Sequence, residues 1–132
     1  MADNKALVRR FVEEFQMRGD VAVCAELVAP DVVDHSAPPG IPPGRAGVVA
    51  LFDGFRTAFA ELRIEIHDML AEGDQVVSRK TVHAKHVGDF MGMPATGRTV
   101  AFAVIDIVRI ADGRIVEHWS VTDQLGLLQQ LS

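Results

Sequence analysis

The chain has 132 residues, enough for one closed core and too few for two, so a single domain over residues 1–132 is expected. With 48% apolar and 23% charged residues the composition is that of a globular chain rather than a disordered one. The net charge of -5 is spread out, no run of Lys or Arg could follow a phosphate backbone, and no apolar segment approaches the roughly 20 residues of a membrane span, so neither nucleic acid nor a membrane is expected as a partner.

The opening MADNKALVRR lacks the apolar core of a secretion signal, which points to a cytoplasmic location. DNKALVRRFVEEFQMRGD places Leu7, Phe11 and Phe15 at spacing four with Val8 and Val12 beside them, an amphipathic helix capped by Asp3 or Asn4 and ended by Gly19. Asp20 caps a second short helix, VAVCAELVA, which Pro30 ends. Cys24 in that helix is the only cysteine, which excludes a disulfide framework and reads as core packing.

DVVDH reads as a short extended piece, and SAPPGIPPGRAG, with four prolines and three glycines, as a loop. A third helix is predicted from Val48, Phe52, Phe55, Phe59 and Leu62, one apolar stripe at steps of four and three. RIEIHDML, QVVSRKTVHAKH, RTVAFAVIDIVRI and RIVEHWSVT read as four strands, and residues 124–131 as a closing helix. Helices followed by a strand meander is the α+β pattern, an antiparallel sheet with helices on one face. The five histidines, His35, His67, His83, His86 and His118, show no helical metal-site spacing, and His83 and His86 fall on opposite faces of one strand, so no metal is expected.

One residue breaks its strand pattern. Phe102, Val104, Asp106, Val108 and Ile110 share a face, which sets a carboxylate among large apolar groups. A three-residue loop at Ala-Asp-Gly sets Asp106 opposite His118, and a two-residue loop sets it opposite Trp119; Gly113 favours the first. A buried carboxylate must be paired, protonated or beside a wet cavity, and a pocket between sheet and helices satisfies this most simply.

The pieces VAPDVVDHSAPP, EGDQVVSRKTVHAKHVGDFMGMPATGR and VIDIVRIADGRIVEHWSVTDQLGLLQQL, in that order, resemble the SnoaL-like polyketide cyclases, within the NTF2-like fold group of nuclear transport factor 2 and ketosteroid isomerase. The resemblance implies a cone-shaped α+β barrel, a curved antiparallel sheet wrapped around the N-terminal helices and a deep apolar pocket, in a protein that forms homodimers. It also implies cofactor-independent acid/base chemistry on a hydrophobic small molecule, an intramolecular aldol condensation with Asp106 as catalytic acid/base and His118 tuning it.

His35, His86, Phe11, Phe55, Phe90, Met93, Val104 and Trp119 are the expected substrate-binding residues; Phe90 and Met93 suit an apolar lid, and Trp119 suits a pocket wall or a dimer interface. Ketosteroid isomerases use a tyrosine on the first helix, and this chain has no Tyr, which argues against isomerisation by that route. The alternatives are a non-catalytic binder of hydrophobic molecules and epoxide hydrolysis, for which the strands offer no inward Arg.

Overall fold

The structure is a computed structural model that describes residues 3–132. Helix α1 (Asn4–Arg10) is capped by the Asp3 carboxylate, which accepts from the backbone N–H of Ala6, and it runs on without a break as a π-helical stretch (Phe11–Met17). The Asp20 N–H reaches back to the Glu14 carbonyl across Gly19 at positive φ, the usual close of a helix on a left-handed glycine. The Asp20 carboxylate then accepts from Ala22 and Val23 and starts α2 (Val21–Leu27).

Strand β1 (Val28–Asp34) begins directly after α2 and carries Pro30 within it. The expectation that Pro30 ends the helix gives way to a strand that tolerates it, because β1 lies at the sheet edge and pairs only with β5. Helix α3 (Gly44–Ala58) is shorter than its apolar stripe suggests: Phe59 and Leu62 belong to strand β2 (Phe59–Glu72). An irregularity between Ala60 and Arg63, with Glu61 at φ 55, leaves residues three apart on one side of β2, so a helical spacing continues in a strand.

Strands β3 (Gln75–His86), β4 (Thr99–Ala111) and β5 (Arg114–Thr122) and helix α4 (Gln124–Leu131) follow, α4 capped by Asp123. The sheet order is β1-β5-β4-β3-β2; every pairing is antiparallel except β1 with β5, which is parallel. The sheet is curved and does not close, and the fold is α+β. Val76, Ser78, Lys80, Val82 and Ala84 of β3 and Val100, Phe102, Asp106, Val108 and Ile110 of β4 are buried on its helix side. The core has two clusters. One joins Phe11, Val12 and Phe15 to α2, β1 and Val108; the other joins Ala58 and Phe59 to Phe102 and the α4 residues Leu127 and Leu131.

Candidate active site

The β4–β5 hairpin sets the site. Its turn has two residues, with Asp112 at φ 52 and Gly113 at φ 73, the pair of positive φ values that the tight primed turn requires. Ala111 therefore pairs with Arg114 and Ile110 with Ile115, which corrects the three-residue loop expected from Gly113. An extra residue at Val116 then shifts the register, so that Val108 lies opposite His118, Ile107 opposite Trp119 and Asp106 opposite Ser120. The bulge reverses the alternation, and His118 comes to the face of Asp106 although the two are not directly opposite.

Across β3 the residue opposite Asp106 is Ser78. Small residues on both sides leave the diagonal positions free to reach in, and Lys80 and His118 do so. The Lys80 ammonium lies 2.6 Å from Asp106 Oδ2, with 3% and 7% of the two side chains exposed. His118 Nε2 faces the same Oδ2 at 3.7 Å, an ion-pair distance. On its other side, His118 Nδ1 donates to Asp34 Oδ1 at 3.0 Å, and the Ser36 N–H also donates to that oxygen. Lys80 further donates to Gln16 Oε1 at 3.4 Å, from the π-helical stretch.

Two carboxylates and two cations thus alternate through the interior, Asp34, His118, Asp106, Lys80, with Gln16 at the end. Asp106 Oδ1 takes no hydrogen bond from the described residues and is not sealed from solvent. Burial raises the proton affinity of Asp106, but His118 and Lys80 outweigh it and hold the carboxyl below its usual range. Burial likewise opposes charge on His118, and the two flanking carboxylates overcome it, pushing its pKa up to about 9. Burial also acts to raise Asp34, and the His118 imidazolium leaves it lowered.

The space beside this cluster is small. A cavity of about 20 Å³, room for one water, is lined by Phe11, Gln16, Asp34, Phe52, Val108 and His118 among others. The deep apolar pocket expected from the sequence is replaced by this cavity and an open groove of about 520 Å³ between β1, the proline-rich loop and the start of α3. Val32, Asp34 and Val48 line both. Gly47 holds the groove's wall close: a Cβ there would meet the Pro42 carbonyl oxygen at 1.8 Å.

The structure pairs Asp106 with His118, sets Phe11 on the small cavity beside His118, and leaves the other expected site residues elsewhere. Phe55, Phe90, Met93 and Val104 pack in the second core cluster; the Phe55 and Phe59 rings stack at 4.7 Å, and Phe90 meets Phe59 edge-on at 5.0 Å. His86 is fully buried, its Nδ1 accepts from the Thr96 N–H, and its Nε2 has no partner. His35 and Trp119 lie on the opposite side of the sheet, stacked at 4.7 Å and 9°, with His35 bonded to Glu117. Since bulge and alternation turn Trp119 away from His118, Trp119 cannot wall the cavity. Cys24 is buried, which pushes its thiol up to about 11 and suits the packing role read from the sequence.

Lys80 and Gln16 are members that the sequence reading missed. Lys80 had a readable signal: Val76, Ser78, Val82 and Ala84 share its strand face, so it interrupts that face as Asp106 interrupts its own. Arg79 and Lys80 together resemble a solvated pair, yet consecutive strand residues point to opposite faces, and Arg79 pairs outward with Asp68 at 2.6 Å. Gln16 carries no comparable pattern.

The sequence profile of the family described as SnoaL-like polyketide cyclase matches residues 6–131. Aklanonic acid methyl ester cyclase DnrD of Streptomyces peucetius is 33% identical over 130 residues, covering 95% of this chain and 88% of that protein. Nogalonic acid methyl ester cyclase of Streptomyces nogalater is 31% identical over 113 residues, covering 85% and 81%. Among solved structures, TsrD from Streptomyces laurentii superposes with a TM-score of 0.90 at 29% identity over 100% and 98% of the two chains, and IdmH from Streptomyces antibioticus with 0.87 at 31% over 98% and 99%.

Proposed function

Because the chain belongs to the SnoaL-like polyketide cyclase family, we propose that it closes a ring in a polyketide ester by intramolecular aldol condensation, with Asp106 as the base. The observation that carries this reading is a buried carboxylate whose Oδ2 is held by two cations while Oδ1 takes no hydrogen bond from the described residues. Oδ1 removes a proton from a carbon flanked by two carbonyls, and the electron pair passes to a carbonyl oxygen as an enolate. The enolate carbon bonds to an internal carbonyl carbon, whose oxygen takes the proton back from Asp106. Nothing enters or leaves, so the product is an isomer of the substrate.

Asp34 orients His118, and the charge of its imidazolium stabilises the developing enolate from a fixed position. The ring system of the substrate lies in the open groove, whose size falls among small-molecule sites, and its reacting end reaches the cluster past Val32, Asp34 and Val48. The test uses aklanonic acid methyl ester, the compound named in one relative's activity. Incubation with the protein is expected to yield a product of unchanged mass with one more ring, and its absence would contradict the proposal. The small size of the cavity beside His118 favours a second reading, a binder that holds the ester in the groove and returns it unchanged.

A second copy of the chain covers the outer face of the sheet in this proposal. Val33, Ile105 and Val121 are exposed there, on the same face as Trp119, apolar groups of the kind that association surfaces gather.

A further inference from the structure

The ring-closing steps give Lys80 no proton to carry, yet it is the nearest charged group to the base and costs the fold the burial of an ammonium. We infer that Lys80 is a positioning residue that holds Asp106 as a weak base and so confines proton removal to carbons flanked by two carbonyl groups. This rests on the reading of Asp106 as the base.

Lys80 Nζ lies 2.6 Å from Asp106 Oδ2 and 3.4 Å from Gln16 Oε1, with both charged side chains buried. The charged groups that face Asp106 are Lys80 from β3 and His118 from β5, with Asp34 of β1 behind His118; the helical side presents the neutral Gln16. Both cations address Oδ2, which leaves Oδ1 without a hydrogen bond from the described residues.

When Oδ1 takes the substrate proton, Lys80 and His118 lose half of their anionic compensation at once. A buried cation without its partner is costly, so the protonated state of Asp106 is short-lived. Only a carbon acid that releases its proton readily can supply it, and the same imbalance drives the proton onward to the new alkoxide. Lys80 remains an ammonium throughout, so the proton and electron balance of the ring closure is unchanged.

The test labels the Asp carboxyl carbons with ¹³C and follows the Asp106 titration by NMR in the wild type, Lys80→Met and Lys80→Arg. The wild-type midpoint is expected below the ordinary value of about 3.9. It is expected to rise by about one unit or more in Lys80→Met and to stay near the wild type in Lys80→Arg. In parallel, deuterium uptake from D₂O is measured for methyl benzoylacetate, whose carbon is flanked by two carbonyls, and for acetophenone, which has one. The wild type accelerates only the first; Lys80→Met gains uptake into acetophenone relative to the first by tenfold or more.

A wild-type midpoint at or above about 3.9, or unchanged midpoint and selectivity in Lys80→Met, overturns the inference. The first of these needs no variant and survives a failure of Lys80→Met to fold. If Asp106→Asn keeps its uptake into methyl benzoylacetate, the reading of Asp106 fails. If Asp106→Asn loses that uptake while Lys80→Met leaves midpoint and selectivity alone, only the role of Lys80 fails.

Discussion

An isolated carboxylate moved from water into a strand among valines costs several kcal/mol, and Asp106 meets that cost with Lys80 and His118 on a single oxygen. His118 in turn lies between Asp34 and Asp106, which hold it protonated up to about pH 9, against about 6.5 for a free imidazole. A group whose folded pKa is raised stabilises fully below its unfolded value and loses that contribution as pH rises through the folded one. We therefore expect the melting temperature to fall from pH 6.5 to about 9, and His118→Gln to flatten that slope, as calorimetry across the range would report. The acid was legible in the sequence because Asp106 interrupts an apolar strand face. Lys80 interrupts its face equally but was hidden behind Arg79, since two adjacent charges resemble a solvated pair until alternation sends one of them inward.

At the scale of elements, the helices and strands were largely legible because their apolar periods are strong, and two of the departures share one cause. At Ala60–Arg63 and again near Val116 an extra residue resets the alternation, and no periodicity announces a bulge in advance. The first ended α3 earlier than its stripe suggested. The second brought His118 to Asp106 from a two-residue turn that would otherwise have turned it away. The proline-rich loop was legible as a loop, but its docking on α3 was not, since that depends on a close approach at Gly47. Gly47→Ala is expected to cost more than about 2 kcal/mol in thermal unfolding, because the new methyl meets the Pro42 carbonyl. Gly54→Ala, where a Cβ meets nothing within 4 Å, should instead stabilise α3 by about 0.5–1 kcal/mol. At the seam between groove and cluster, Val48→Trp should raise KM for the ester severalfold while leaving the ¹³C titration of Asp106 unchanged, if substrate reaches Asp106 from the groove.

For the whole molecule, one face of the sheet holds the charged cluster under the helices and the other presents Val33, Ile105 and Val121 to solvent. If a second copy covers that outer face, sedimentation should give a dimer for the wild type and a monomer for Ile105→Glu combined with Val121→Asp, with melting temperatures measured alongside. The family and the α+β architecture were legible from motifs that run through nearly the whole chain, whereas the size of the pocket was not, because it depends on how far the helices settle onto the sheet. In the proposed mechanism the fold keeps one carboxylate buried, charged and available to a carbon acid. The most direct test is the turnover of aklanonic acid methyl ester by Asp106→Asn, a near-isosteric change, with folding checked by circular dichroism. A native spectrum and a loss in kcat of about 10²- to 10⁴-fold are expected; a folded variant that turns over at the wild-type rate would contradict the role of Asp106 as the base.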